Sequence, residues 1–174
     1  MQPLPDFKRI VTGHDINGNS IVTHYGVTPN IFKSNNLPNM ITHDVWRTQS
    51  PPARLQADDN HYYKSIMTRP EPGGSLMRIV DIPPDESLPP ISPKELSIEI
   101  PNLIGPLNNF TQTPIPHSDS LDYCIVIIGE LWLILDNDQV MLSAGDTIIQ
   151  RNTKHSWSNR TNKMARLAII ALDK

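Results

Sequence analysis

Residues 116–159 read PHSDSLDYCIVIIGELWLILDNDQVMLSAGDTIIQRNTKHSWSN. Two apolar, β-rich runs, Leu121–Ile128 and Glu130–Leu135, meet at Gly129-Glu130. An Asp136-Asn137-Asp138 turn follows, then short runs at Gln139–Leu142 and Asp146–Gln150 separated by Ala144-Gly145. His155–Asn159 and Met164–Leu172 complete the series. Many short strands at close spacing, split by turn residues, predict an all-β fold closed as a barrel or stacked as two antiparallel sheets. No stretch keeps a helical period over three turns, so little helix is expected.

The earlier sequence extends the same pattern. Arg9–Thr12 and Ser20–Tyr25 flank Asn17-Gly18-Asn19 and predict a hairpin. Thr42–Thr48 and Ser75–Ile82 are further strand candidates. Gln49–Glu71 is polar and proline-flanked and reads as a long loop, with a helical turn near Asn60–Met67. Gly13, Gly18, Gly129 and Gly145 are expected at turns with positive φ. The chain reads as a single domain over 1–174: N-terminal strands and loop over 1–82, a proline-rich insertion over 83–110, and the core over 111–174.

Bulk properties remove several classes of function. The 174 residues are enough for one buried core. A formal net charge of -3 offers no basic footprint for nucleic acid or an anionic membrane. The longest apolar run, Cys124–Ile128, is too short to span a bilayer, and MQPLPDFKRI does not read as a signal peptide. Cys124 is the single cysteine, so no internal disulfide can form and a reducing, cytoplasmic setting is expected. There is no phosphate loop, no G-x-S-x-G elbow, no CxxC and no HExxH.

At the residues from Asp122 onward the chain resembles the cupin superfamily of small jelly-roll barrels. Asp122-x6-Gly129 matches the E-x6-G half of the first cupin motif, with Asp in place of Glu. Gly145-Asp146 and His155-x3-Asn159 match the second motif, one residue short and with Gln150 where proline is usual. GDTIIQRNTKHSWSN and the early Val11-Thr12-Gly13-His14-Asp15-x2-Gly18 segment are similar to a type 2 cupin subgroup with a GDxxxQRxTxHxW second motif. The resemblance implies a double-stranded β-helix, a ligand pocket inside the barrel, and homodimers built with N-terminal strands. Val11–Gly13 and Ile21–Tyr25 would take part.

Family members hold one metal ion with three His and one Glu. Side chains two apart on a strand share a face, which is why an H-x-H pair can aim both rings inward. Counting back from Asp122, one spacing gives Pro116 and Ser118, and the other gives Ile115 and His117. His117 faces outward on a regular strand and inward if a bulge intervenes. The expectation is a site with no cofactor. The alternative is a single divalent ion (Fe, Mn, Ni or Zn) on His117, Asp122 and His155, the donor type of open non-haem iron sites.

Three residues are candidate catalytic groups: His155, Asp122 and His117. His155, Trp157 and Asn159 alternate onto one face, which would set an imidazole beside an indole. The resemblance implies that Asp122 points inward. Trp157, Cys124, Val126, Asn159 and Arg151 are candidate substrate contacts. Tyr123 reads as sheet packing, Trp132 as barrel lining or partner surface, and His14 as part of a turn. The function expected is acid–base chemistry (dehydratase, isomerase, cyclase or decarboxylase type) on a carbonyl-bearing, aromatic or polyketide-like metabolite. A metal-dependent dioxygenase or lyase and a non-catalytic binding cupin are the alternatives.

Overall fold

A computed structural model describes residues 2–49, 69–90 and 120–173. His117, the 60–67 turn and all but the start of the proline-rich stretch lie outside these residues. Among the described residues eleven strands are present: β1 Arg9–His14, β2 Ser20–Gly26, β3 Asn30–Lys33, β4 Ile41–Thr48, β5 Ser75–Ile82, β6 Ser120–Ile128, β7 Glu130–Ile134, β8 Gln139–Ser143, β9 Thr147–Arg151, β10 Ser156–Ser158 and β11 Ala165–Asp173. One 3-10 turn, Asp85–Ser87, is the helical element among the described residues. No helix there is long and apolar enough to cross a membrane.

The strands form a six-stranded sheet in the order β3-β4-β5-β11-β6-β9 and a three-stranded sheet in the order β10-β7-β8. From β6 onward the chain alternates between them: β6 in the large sheet, β7 and β8 in the small one, then β9 large, β10 small, β11 large. This winding follows from short strands and tight turns. At the β6–β7 turn, Gly129 has φ +80, and an added Cβ would sit 3.0 Å from the Met164 carbonyl oxygen. A glycine there meets both the dihedral and the close approach.

The β1–β2 hairpin forms where expected, as a two-stranded sheet of its own. Asp15 accepts from the backbone N–H groups of Asn17 and Asn19, an Asx-type turn that explains the residues around His14. Gly18, Gly129 and Gly145 have positive φ, but Gly13 does not. Gly13 lies within β1 beside a bulge, and an added Cβ would sit 2.7 Å from Thr23 Cγ2, so its requirement is space.

The inner faces of the two sheets share one core. Cys124, Val126, Leu167 and Ile82 from the large sheet pack with Leu131, Leu133 and Leu142 from the small one. Trp157, Ile148 and Ile169 line the same cluster. The first residues of the proline-rich stretch are tied to the barrel. Asp85 accepts from Ser158 Oγ at 2.6 Å and from the Asn159 backbone N–H at 2.9 Å.

The outer face of β4, β5 and β11 is covered by the N-terminal segment. Arg166 on β11 donates two hydrogen bonds to Asp81 on β5, at 2.6 and 2.8 Å, and a third to the Pro5 carbonyl. Its guanidinium lies over Phe7, whose ring meets His43 edge-on. Burial alone would raise the Asp81 carboxyl, but hydrogen bonds from Arg166 and His43 and their charges hold it below its ordinary value. A carboxyl held low stabilises the fold above its unfolded value and ceases to do so as pH falls through the folded one. Arg166→Ala should lose about 3–5 kcal/mol in urea unfolding at pH 7, because it strands a buried carboxylate. That gap from wild type should narrow once the pH falls below 3.8.

Candidate active site

Register fixes which side chains enter the space between the sheets. One rung of the large sheet runs Asn30, Asp44, Arg78, Ile169, Cys124, Ile148 across its six strands. The next rung on the same face runs Arg47, Leu76, Ala171, Asp122, Gln150. On the other side of the first lies Phe32, Thr42, Val80, Leu167, Val126. The inner face is therefore apolar through Val80, Leu167 and Val126 and strongly polar one and two rungs away. Opposite it, the small sheet contributes Leu131, Leu133, Leu142 and Trp157.

The polar rungs carry four charges. Asp44 is fully buried; it contacts Arg47 Nη2 and lies 3.4 Å from Arg78 Nη2. Burial lowers the Arg78 guanidinium from its ordinary value, and Asp44 and Asp122 oppose that by favouring its charge. Asp44, Arg47 and Arg78 were missing from the candidates read in the sequence. For Asp44 and Arg47 the cause is a bulge in β4, where the register with β5 shifts between Asp44 and Trp46. Strict alternation sends residues three apart to opposite faces, whereas one extra residue sends Asp44 and Arg47 to the same face. The signal that could have found them is a charged residue inside each of two β-rich runs, Asp44 in THDVWRT and Arg78 in SLMRIVDI.

Asp122 is buried on the inner face and accepts from Ser120 Oγ at 2.6 Å. Directly across the ladder stands Gln150, with Ile149 and Arg151 on either side facing out. Gln150 Oε1 accepts from Thr153 Oγ1. Thr153 also presents its backbone carbonyl 2.9 Å from His155 Nδ1. A carbonyl oxygen only accepts, so the neutral ring carries its proton on Nδ1 and leaves Nε2 with the lone pair. The rings of His155 and Trp157 meet edge-on with centroids 5.9 Å apart, the pairing expected from alternation. Residues 150–155 thus link the Asp122 rung to the His155–Trp157 pair.

Other candidates lie elsewhere. Cys124 shares the inner face with Asp122, and Val126 sits deep in the apolar core. Asn159 is fully buried and occupied by the fold: its Nδ2 donates to the carbonyls of Ile82 and Lys163, and its Oδ1 accepts from Thr161. Arg151 is exposed on the outer face beside Ile149. Tyr123 also faces outward. Trp132 lies on the outside of the small sheet, with the Arg160 guanidinium 4.4 Å from its ring centre.

No family model matches the chain. Among curated proteins, it is 28% identical over 179 aligned residues to a phomopsin biosynthesis cluster protein (C') of Diaporthe leptostromiformis, covering 95% of this chain and 77% of that one. It is 25% identical over 183 aligned residues to the cupin-domain-containing oxidoreductase fogC of Aspergillus ruber, covering 98% and 76%. It is 28% identical over 171 aligned residues to the cupin-domain-containing oxidoreductase virC of Hypocrea virens, covering 91% and 72%. The chain is thus similar to cupin-domain proteins over nearly its whole length. Its own fold is a pair of sheets joined by a chain that alternates between them. Among solved structures, a Cupin 2 conserved barrel domain protein from Salinispora arenicola superposes with a TM-score of 0.42 at 11% identity, covering 79% of this chain and 82% of that one. An RmlC-like cupin family protein with a double-stranded β-helix fold from Methanocaldococcus jannaschii gives 0.38 at 15%, covering 57% and 70%. Scores this low carry no inference about chemistry.

The cupins that this chain resembles commonly hold a metal ion. The described residues contain no group of three His, Cys, Asp or Glu side chains that could hold one. Asp122 and His155 are two of the three expected ligands, and His117 lies outside the described residues. The described residues therefore do not supply a metal site by themselves. Burial, aided by the nearby Asp122 charge, pushes the Cys124 thiol up to about 12. A raised thiol favours the fold at neutral pH and loses that contribution as pH climbs towards the folded value. Iodoacetamide at pH 8 should leave Cys124 unmodified in the native protein and alkylate it within minutes in urea, as read by intact mass.

Proposed function

We propose that this cupin is an enzyme of secondary metabolism that moves protons on a carbonyl-bearing small molecule held between the two sheets. The observation that carries the reading is the His155 tautomer. With Nδ1–H committed to the Thr153 carbonyl, Nε2 is a base beside the Trp157 wall. Kinship to proteins named for biosynthesis clusters supports the metabolic setting. In the proposed step, His155 Nε2 takes the proton from a carbon next to the carbonyl. The C–H electron pair moves towards the carbonyl oxygen, and the imidazolium returns the proton to the same carbon or to a conjugated one. Asp122 is the second proton-carrying group, and Trp157 stacks on the substrate body.

A second reading is a metal-dependent oxidoreductase, favoured by the names of two relatives. Its ligands would be His117, Asp122 and His155. One experiment separates the two. Exchange of the α-hydrogens of 2-tetralone in D2O, followed by NMR with protein of measured metal content, should proceed faster than in buffer. His155→Ala and Asp122→Ala should each slow it by about 100-fold or more. Unchanged exchange in both variants removes the proton-transfer reading. Activity that tracks a stoichiometric bound metal replaces it with the second.

We also propose a homodimer. On the β1–β2 hairpin Ile10 and Tyr25 are cross-strand neighbours, and both are exposed, as is Val22. Tyr123, Ile125, Ile127 and Ile149 are exposed on the outer face of β6 and β9, and β9 is an edge strand among the described residues. Apolar surface of this kind is common at subunit contacts. Sedimentation equilibrium should return twice the 19.6 kDa chain mass, and Tyr25→Lys should shift it towards the monomer.

A further inference from the structure

We infer that Gln150 is a substrate-recognition residue whose Nε2 donates a hydrogen bond to an uncharged carbonyl oxygen of the ligand. The inference deepens the function proposed above and rests on its placing of the ligand between the sheets. Gln150 is 3% exposed, and its Nε2 has no hydrogen-bond partner among the described residues. A buried amide donor left unpaired is costly, and such groups in folded proteins generally find a partner. Here the other end of the amide is already occupied, because Thr153 Oγ1 donates to Oε1. Thr153 in turn holds His155 through its carbonyl. One residue therefore sets both the amide orientation and the imidazole tautomer.

The neighbours narrow the ligand chemistry. Asp122 stands directly across the ladder from Gln150, which favours an N–H rather than a carbonyl on that side of the amide and disfavours a ligand carboxylate. The next inward residue on β9 is Ile148, packed in the core cluster with Ile169 and Trp157. The surroundings of the donor are thus greasy on one side and polar without net charge on the other. That combination suits a ketone, aldehyde, lactone or amide oxygen carried on an apolar or aromatic body. It does not suit a phosphate, a carboxylate or a sugar.

A ligand-recognition role predicts a separation of binding from stability. Gln150→Met keeps the length, removes the unpaired donor and leaves Asp122 and His155 in place. It should melt no lower than wild type, whereas a purely structural glutamine would lower the melting temperature when removed. Calorimetric titration with 2-tetralone and with tetralin, its carbonyl-free counterpart, reads the donor directly. The ketone-to-hydrocarbon affinity ratio should fall about fivefold to tenfold in Gln150→Met, the size of one neutral hydrogen bond. Gln150→Leu provides a second apolar variant if the methionine protein does not fold. The ratio is read by binding alone, without turnover, so loss of proton transfer and loss of recognition remain distinguishable. An unchanged ratio in the Gln150 variants, or a wild-type protein that binds neither compound, overturns the inference.

Discussion

A sheet that turns four charged side chains toward its own core must supply the countercharges from the same face. Asp44, Arg47, Arg78 and Asp122 do this across three strands, two acids against two bases, with Asp44 between the two guanidiniums. Burying any one of them alone would cost several kcal/mol. Together they form a neutral block that leaves the adjoining rung free to be apolar. Every other feature of the interior is arranged around this block. Val126, Leu167 and Val80 form the apolar rung to one side, and Gln150 continues the polar row to the edge strand.

Neutrality of the block also bears on what the interior can accept. A row of uncompensated arginines would select for anions. A row in which each arginine already has a carboxylate neighbour contributes polarity without net charge. Selectivity then passes to neutral hydrogen-bonding groups and to shape. In this barrel those are the Gln150 amide, the His155 ring and the Trp157 wall.

Much of the fold was legible because it rests on period-two alternation and turn chemistry. The hairpin around Asp15–Asn19, the turn at Gly129 and the six strands after residue 120 all follow from local residue types. The His155–Trp157 pairing was legible for the same reason. What escaped was non-local or irregular. The β4 bulge breaks alternation between Asp44 and Arg47, and no turn residue announces it. Arg166 and Asp81 lie 85 positions apart, and nothing near either one names the other. Asn159 matched a motif position, but its amide closes the turn to Lys163 and the contact to Ile82. A motif fixes where a side chain begins; the surrounding backbone decides what it is used for.

The strand that comes last in chain order among those described, β11, lies between β5 and β6 in the middle of the large sheet. Its two neighbours have no ladder partner on that side until Ala165–Asp173 is available. The β3–β4–β5 half-sheet therefore waits with an open edge from Ile82 onward, and the β6–β9 half-sheet joins it in that state once Arg151 is made. The long-range pairings that close the barrel form only after that strand emerges, which points to slow closure and a period of exposure to edge-to-edge association.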